Sequence, residues 1–171
     1  MAAPIPLRAL RDPVLLVATG FGAGLLRPAP GTWGTLAGLP LVWLLAQLAT
    51  GPALMVLAGT ALLGIPLCDA AGRRLGASDH GGIVWDEMVG LGLTLVLLPL
   101  DPVTVLIGFL AFRLFDIVKP WPASWADRSL PGGLGVMVDD LIAGLFAGAL
   151  TFALREGTLV LGLGAPWILP G

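Results

Sequence analysis

The feature that most constrains this fold is a run of 41 residues, positions 28–68, that contains no Asp, Glu, Lys or Arg. A helix of roughly 20 residues crosses the hydrocarbon core of a bilayer, so this run is long enough for about two membrane helices. Thr50, Gly51 and Pro52 lie near its middle, where a tight turn would be needed. The sequence therefore predicts that this part of the chain lies in a membrane.

The composition extends this prediction to the rest of the chain. Hydrophobic residues make up 57% of the sequence and charged residues only 12%, against a usual charged fraction of about 25%. The mean hydropathy is +0.95, and a water-exposed surface needs more polar side chains than this chain has. The net charge of -2 says little about a nucleic-acid partner, but no basic tract is present and none is predicted. Cys68 is the only cysteine, so an internal disulfide is excluded.

We predict a single all-α domain over residues 1–171, an integral membrane bundle of about five short membrane helices. These helices are expected to cover approximately residues 33–50, 52–68, 83–100, 103–119 and 139–154. Residues 13–26 are apolar and are predicted to form an interfacial or partly inserted N-terminal helix. The tail 157–169 is also apolar, but its Gly and Pro residues make it a poor helix.

The charged residues fall mainly on one side of this predicted bundle. If the helices alternate in direction, one side receives the N-terminus and the loops 69–85 and 120–138. Eight of the nine basic residues and nine of the eleven acidic residues belong to that side. The positive-inside rule makes this side cytoplasmic. Because that rule does not concern acidic residues, the acidic cluster needs another explanation.

Two pairs of neighbouring acids stand at the predicted starts of membrane helices. Asp86 and Glu87 open the third helix, and Asp139 and Asp140 open the fifth. Neighbouring helix positions are about 100° apart, so one carboxylate can bind a metal ion while the other binds a neighbour. Four carboxylates at one depth would repel unless a cation lay among them, and oxygen-only ligands suit Mg²⁺. The simpler alternative is that Asp86 and Asp139 only complement the helix dipole.

The fourth predicted helix contains three ionisable residues on one face. Arg113 and Asp116 are three positions apart, and Lys119 continues the same face. Ionisable residues within membrane segments are costly and by default mark a functional site. A structural ion pair between Arg113 and Asp116 is the alternative.

Two further segments could contact a ligand. His80, the only histidine, lies in the segment Asp79-His80-Gly81-Gly82 and could serve chemistry or be an ordinary loop residue. The segment Pro30-Gly-Thr-Trp-Gly-Thr35 precedes the first helix, where exposed backbone N–H groups form an anion site. A flexible loop is the alternative for this segment.

Several short strings follow one another along residues 20–149: Gly20-Phe-Gly-Ala-Gly24, Pro30-Gly-Thr-Trp-Gly-Thr35, Asp79-His-Gly-Gly-Ile-Val-Trp-Asp-Glu87, Phe112-Arg-Leu-Phe-Asp-Ile-Val-Lys-Pro-Trp-Pro122, Asp127-Arg128, Gly132-Gly-Leu-Gly135 and Val138-Asp-Asp140. In this order, they resemble the bacterial phosphatidylglycerophosphatase A family. The resemblance implies a Mg²⁺-dependent, multi-pass enzyme of the bacterial inner membrane that hydrolyses phosphatidylglycerophosphate to phosphatidylglycerol and phosphate. It also implies an all-α bundle with a central helix surrounded by others. The N-terminal arm 1–11 and the tail 155–171 carry none of the recognised motifs.

On this hypothesis the carboxylates of Asp86, Glu87, Asp139 and Asp140 hold one or two Mg²⁺ ions. Arg113 and Lys119 bind oxygens of the phosphoryl group. The headgroup is received by Gly31, Thr32, Gly34 and Thr35.

The catalytic candidates are His80 or Asp79 as the acid that protonates the leaving glycerol oxygen, with Asp86 at the metal. The nucleophile is either a water activated by the metal or Asp116 itself. Other functions remain open: another lipid-headgroup phosphatase or phosphotransferase, a small cation-binding transporter, or a structural membrane subunit. The oligomeric state and the acyl-chain preference are not predicted.

Overall fold

The computed structural model describes residues 4–77 and 80–160, and every regular element among them is helical, which confirms the predicted all-α class. In chain order the elements are a 3-10 helix over Leu7–Arg11, α1 over Pro13–Ala18, a second 3-10 helix over Ala23–Leu25, α2 over Pro30–Ala37, α3 over Leu39–Ala46, α4 over Thr50–Leu75, α5 over Trp85–Leu95, α6 over Pro102–Val118, α7 over Ala123–Ser129 and α8 over Gly132–Val160.

The long helix α8 is the centre of the bundle, and it packs against α4, α5, α6 and α7. Small residues let it approach α5 closely: a β-carbon at Gly144 would overlap the backbone carbonyl of Gly90. The hydroxyl of Thr94 on α5 donates to the carbonyls of Gly90 and Gly144, at 2.9 and 3.3 Å. This arrangement agrees with the central helix that the resemblance implied, and it brings α5, α6 and α8 together at one end of the bundle.

Two helices in the described part of the chain are long and apolar enough to cross a membrane. They are Thr50–Leu75 and Gly132–Gly157. Only 22% of the apolar window of the first is buried within the protein, against 44% for the second, so α4 is the more peripheral of the two. The count of five membrane helices stays a prediction.

Large apolar side chains are exposed on several helices. Examples from α3, α4 and α6 are Trp43, Met55, Leu62, Leu63, Leu106 and Leu110, each more than half exposed. Extensive exposed apolar surface on a protein marks contact with a partner or a membrane. The outer surface of the bundle is therefore suited to lipid.

The prediction of one continuous helix over residues 33–50 is wrong. The chain forms two short helices instead, and Gly38 both ends α2 and precedes α3. Pro40 lies in the first turn of α3, where its missing N–H is tolerated, whereas inside a longer helix its ring would clash with the preceding turn. The break sets α2 apart from α3, so α2 can contact α5 and α6 independently.

Other predicted boundaries change as well. Helix α4 begins at Thr50 and continues beyond position 68 to Leu75, where Gly76 ends it in a left-handed conformation. Helix α5 ends at Leu95, earlier than the predicted position 100. Helix α6 agrees with its prediction to within one residue at each end. The predicted loop 120–138 contains α7 and the first turns of α8.

Residues 13–26 do not form the single interfacial helix that was predicted. Helix α1 ends at Ala18. Shortly after it, Gly20, Phe21 and Gly22 all have positive φ. A left-handed backbone cannot continue a right-handed helix. The chain therefore turns here and returns toward α5, where the N–H of Val84 donates to the carbonyl of Ala18 at 2.9 Å. Of the tail 157–169, positions 161–169 lie outside the described residues.

Candidate active site at a carboxylate-lined cavity

A cavity of about 270 Å³ lies where α5, α6 and α8 meet. Its polar lining consists of five carboxylates and one amine: Asp86, Glu87, Asp116, Asp139, Asp140 and Lys119. The structure thus brings together the four predicted metal ligands with the alternative nucleophile and one of the predicted phosphate-binding cations.

The first turn of α5 supplies two of the carboxylates. The helix begins at Trp85, as predicted to within two residues, so Asp86 and Glu87 lie where the helix dipole favours negative charge. The indole N–H of Trp85 donates to the carbonyl of Thr60 on α4 at 3.2 Å. This contact anchors the start of α5 and so holds both carboxylates at the cavity.

Arg113 connects three helices beside the cavity. Its Nη1 atom lies 2.6 Å from Asp116 Oδ2 on the same helix and 3.5 Å from Glu87 Oε1 on α5, and it donates to Thr35 Oγ1 on α2 at 3.3 Å. The Arg113 side chain is only 16% exposed, and its buried Nε has no hydrogen-bond partner among the described residues. The ion pair with Asp116, which was the alternative to a functional role, is present, and Arg113 still has donor capacity for a ligand.

The segment from Pro30 to Thr35 forms the first turns of α2, at the edge of this ion-pair network. The hydroxyl of Thr35 donates to the carbonyl of Gly31 at 2.8 Å and accepts from Arg113. A β-carbon at Gly31 would overlap Glu87 Oε1 and would lie about 3 Å from both terminal nitrogens of Arg113. The absence of a side chain at position 31 thus allows the carboxylate and guanidinium to approach the start of α2.

The other two predicted headgroup residues lie differently. Gly34 packs against Val84, whose side chain a β-carbon at position 34 would overlap. Thr32 is half-buried in the first turn of α2. The segment therefore has a clear packing role at Gly34 and reaches the ion pairs at Gly31 and Thr35.

Lys119 lies just past the end of α6, in a left-handed conformation, and joins α6 to α7 and α8. Its Nζ donates to Asp127 Oδ1 at 2.8 Å and also to Asp139 Oδ2. Burial acts to lower the pKa of Lys119, but the hydrogen bonds to Asp127 and Asp139 outweigh it and raise the pKa above its usual range. Asp127 was not among the predicted site residues, although it belongs to one of the strings that carry the resemblance.

The expectation that Asp139 and Asp140 open a helix is wrong. Helix α8 begins at Gly132, about two turns earlier, so the helix dipole at its N-terminus does not account for them. Each is 3% exposed. Asp139 Oδ1 and Asp140 Oδ2 are buried and have no hydrogen-bond partner among the described residues. Two buried carboxylates with unsatisfied oxygens are costly and require a compensating group.

The charges around the cavity do not balance. Five carboxylates face Lys119 and the adjacent Arg113, an excess of three negative charges if all are ionised. Asp140 lies within electrostatic range of the other four carboxylates. In the described part of the chain, no three His, Cys, Asp or Glu side chains already stand in a metal-binding arrangement. The cavity thus has the charge and donor type that suit a divalent cation, with carboxylates that would have to close on it.

His80 lies beside a neighbouring cavity that shares Gly81 with the first. The imidazole is 8% exposed, and its Nδ1 accepts a hydrogen bond from the backbone N–H of Gly82 at 3.1 Å. The structure therefore places His80 next to the carboxylates' cavity and not among its lining. Asp79, the other predicted acid, lies outside the described residues.

A separate ion pair lies away from this site. Arg155 Nη2 is 2.8 Å from Asp101 Oδ2, and both residues had been predicted for the opposite side of the bundle. Asp101 also accepts hydrogen bonds from the N–H groups of Val103 and Thr104 at the start of α6. Among the described residues, each ion pair thus joins two residues that were predicted for the same side of the bundle.

Comparison with known proteins gives a consistent result. The family model described as phosphatidylglycerophosphatase A matches residues 16–155. The chain is 44% identical over 154 residues to a phosphatidylglycerophosphatase A from Haemophilus influenzae, which covers 89% of this chain and 94% of the relative. It is 40% identical over 144 residues to a phosphatidylglycerophosphatase A from Escherichia coli, with 84% of each chain covered.

A third relative carries a different description. The chain is 36% identical over 144 residues to a putative phosphatidylinositol-3-phosphatase from Bacteroides thetaiotaomicron, which covers 78% of this chain and 87% of the relative. No solved structure matches the chain significantly. All the residues around the carboxylate-lined cavity lie within the segment that the family model matches.

Proposed function

Because this chain belongs to the phosphatidylglycerophosphatase A family, we propose that it hydrolyses the terminal phosphomonoester of phosphatidylglycerophosphate. One water is consumed, the P–O bond to the glycerol breaks, and phosphatidylglycerol and inorganic phosphate are released. The observation that carries the proposal is the cavity itself, which gathers five carboxylates and Lys119 from three helices beside Arg113. A phosphomonoesterase needs charge neutralisation and positioning more than covalent chemistry.

We propose that the cavity takes Mg²⁺. The excess of negative charge and the buried oxygens of Asp139 and Asp140 that have no hydrogen-bond partner support this, since carboxylate oxygens are the donors that Mg²⁺ prefers. The residues that would hold the ion are Asp86, Glu87, Asp139 and Asp140. When bound, Mg²⁺ neutralises charge on the phosphoryl group and polarises it.

The protein's own cations would orient the phosphoryl group. Arg113 is held by Glu87, Asp116 and Thr35 through a single terminal nitrogen, so its remaining N–H groups are pre-positioned donors for phosphate oxygens. Lys119, held by Asp127 and Asp139, would supply a second positive charge from the lining of the cavity. Two fixed cations of this kind stabilise charge that is spread over the transferring group.

Water is the nucleophile that we favour over Asp116. The carboxylate of Asp116 accepts a hydrogen bond from Arg113 at 2.6 Å, and a carboxylate engaged in this way is a poorer nucleophile and a better positioning group. The leaving glycerol oxygen would lie toward Gly81, which lines both this cavity and the one beside His80, so His80 is the candidate acid for it. Acid-quenched turnover of ³²P-labelled substrate should leave no label on the protein; a labelled Asp116 would reverse this assignment.

The substrate's acyl chains would remain in the lipid phase. The exposed apolar side chains of α3, α4 and α6 and the two long apolar helices support insertion in the bilayer. We propose a multi-pass protein of the bacterial inner membrane, with the cavity at the cytoplasmic interface. This orientation rests on the excess of Lys and Arg at the end that carries the cavity.

A different lipid phosphomonoester is the second candidate, since one relative is described as a putative phosphatidylinositol-3-phosphatase. Phosphate release should be measured with purified protein in mixed micelles, with phosphatidylglycerophosphate and phosphatidylinositol 3-phosphate as parallel substrates. We expect Mg²⁺-dependent release from the first, its loss in EDTA, and its loss in Asp86→Asn. Faster phosphate release from phosphatidylinositol 3-phosphate would indicate that this lipid is the substrate instead.

The matched control for this experiment is Asp101→Asn. It makes the same chemical change at the far end of the bundle, where asparagine still caps α6. Its turnover should stay within about twofold of the unaltered protein. Release that is equally lost in both variants would indicate a folding defect and would remove the support for the cavity.

A further inference from the structure

A second cavity, of about 240 Å³, adjoins the carboxylate-lined cavity, and Gly81 lines both. Three separate segments form it: the N-terminal arm, the loop between the second 3-10 helix and α2, and the residues before α5. Its charged or titratable lining among the described residues consists of Arg27 and His80. The two adjoining cavities therefore differ in charge, one dominated by carboxylates and the other provided with a guanidinium and an imidazole.

Close backbone packing holds this second cavity in shape. A β-carbon at Gly24 would overlap the carbonyl oxygen of Gly82, and one at Gly82 would lie 2.6 Å from Ile5 Cδ1. Gly24 belongs to a string that the proposed reaction does not otherwise use. They bring the Arg27 loop, the His80 segment and the N-terminal arm into contact, so the positions of the two side chains follow from the packing.

His80 adds an imidazole to the lining of this cavity. Its Nδ1 accepts a hydrogen bond from the N–H of Gly82, which holds the ring in place. Arg27 is exposed and adds a permanent positive charge. A guanidinium at the edge of a cavity suits an anionic group that has several acceptor oxygens.

We propose that the cavity of Arg27 and His80 binds the phosphodiester of a lipid whose phosphomonoester lies in the carboxylate-lined cavity. The inference rests on the proposed function, since phosphatidylglycerophosphate carries a phosphodiester and a phosphomonoester at the two ends of one glycerol. Two anions joined by a three-carbon bridge require adjacent sites, and the shared Gly81 makes these cavities adjacent. The diester would be repelled by the carboxylates and attracted by Arg27.

This assignment makes Arg27 a determinant of specificity. A lipid phosphomonoester without a diester would fill only one of the two cavities. The selectivity for a lipid with both phosphates would then come from binding energy at Arg27, away from the reacting bond.

The test uses two probes that each represent one half of the substrate. Short-chain phosphatidylglycerol has the diester alone, and inorganic phosphate represents the monoester. The binding constants are measured by calorimetric titration of the detergent-solubilised full chain. In Arg27→Gln, the dissociation constant for phosphatidylglycerol should rise about tenfold, and that for phosphate should stay within twofold of the unaltered protein. Arg27→Lys, which keeps the charge, should raise the dissociation constant for phosphatidylglycerol only about threefold.

The matched control is Arg8→Gln, which removes an exposed arginine that does not line the cavity and should change neither constant by more than twofold. Unchanged binding of phosphatidylglycerol to Arg27→Gln, or an equal loss with Arg8→Gln, would overturn the proposal. Turnover of phosphatidylglycerophosphate is measured separately. Diester binding that depends on Arg27, without any turnover, would support this site and refute the proposed reaction. Turnover with diester binding that does not depend on Arg27 would support the reaction and refute this site.

Discussion

Gly31 lies so close to Glu87 that a β-carbon at position 31 would overlap the carboxylate oxygen Oε1. The two residues come from different helices, α2 and α5, and the same carboxylate oxygen pairs with Arg113. The backbone of α2 thus forms one wall of the ion-pair network beside the candidate active site. The absence of a side chain at this position is a requirement of the site geometry.

Substitution of Gly31 by alanine should therefore lower activity without unfolding the protein. The added methyl group must displace Glu87 or Arg113 from its present position, and small displacements of catalytic groups are costly. We expect kcat/KM for phosphatidylglycerophosphate to fall at least tenfold, measured as phosphate release in mixed micelles. Gly51→Ala is the control, since nothing lies within 4 Å of a β-carbon there; an equal loss in that variant would contradict the explanation.

Asp140→Asn should make the protein more stable and less active. Asp140 is almost fully buried among four other carboxylates, so removal of its charge relieves repulsion in the metal-free protein. A relief of about 1 kcal/mol would raise the thermal unfolding midpoint in EDTA by roughly 2–4 °C. We expect kcat to fall at least a hundredfold in the same variant.

The comparison for this prediction is Asp69→Asn, which removes a carboxylate from an exposed pair with Arg73. Exposed pairs contribute little, so its midpoint should move by less than about 1 °C and its turnover should be retained. A lower midpoint in Asp140→Asn would show that its carboxylate is stabilised in the folded state and would remove the argument from repulsion.

Asp101 should contribute to stability in a pH-dependent way. Burial acts to raise the pKa of Asp101, but hydrogen bonds from Thr104, the charge of Arg155 and the N–H of Val103 outweigh it and lower the pKa. A carboxyl group with a lowered folded-state pKa stabilises the protein above its unfolded pKa of about 3.9, and this contribution is lost as the pH falls through the folded value.

Asp101→Ala should accordingly reduce the free energy of unfolding by about 1 kcal/mol at pH 7, as for other helix caps. The difference from the unaltered protein should disappear progressively below about pH 4. Thermal unfolding in detergent, followed by circular dichroism between pH 3 and pH 7, measures this difference. A difference that grew as the pH fell would contradict the sign of the shift.

The two ends of α4 should be accessible from opposite sides of the membrane. Gly51 is exposed at the start of the helix, and Arg73 is exposed near its end, on the side of the cavity. Because the native Cys68 is buried, a single introduced cysteine can be labelled selectively. An impermeant maleimide should label Gly51→Cys in intact spheroplasts and Arg73→Cys only after permeabilisation; the opposite result would reverse the proposed orientation.

The amino-acid sequence by itself determines the class of the fold and the chemistry of its polar end. A long uncharged run predicts membrane helices, because backbone N–H and C=O groups in lipid must be hydrogen-bonded within the chain. The spacing of Arg113 and Asp116 places them on one helical face, whatever the surrounding fold. The motif strings indicated the family, and the comparisons confirmed it.

Local helix boundaries were less predictable. Hydropathy changes at position 68, but a helix ends where its backbone is capped, and α4 continues to the left-handed Gly76. In the same way, α8 begins at Gly132, although the polar side chains of Asp139 and Asp140 resembled a helix start. In both cases a change in polarity was taken to mark the end of a helix. Polar residues that line a cavity do not mark a helix end.

Only the tertiary structure decided which distant residues meet. Gly31 contacts Glu87, Lys119 bridges Asp127 and Asp139, and His80 lies beside a separate cavity with Arg27. These relationships depend on how closely α2, α5, α6 and α8 pack and on how each is rotated about its axis. Packing of that kind arises from many small contacts between residues far apart in the chain. The periodicity of apolar residues along the sequence does not predict these contacts.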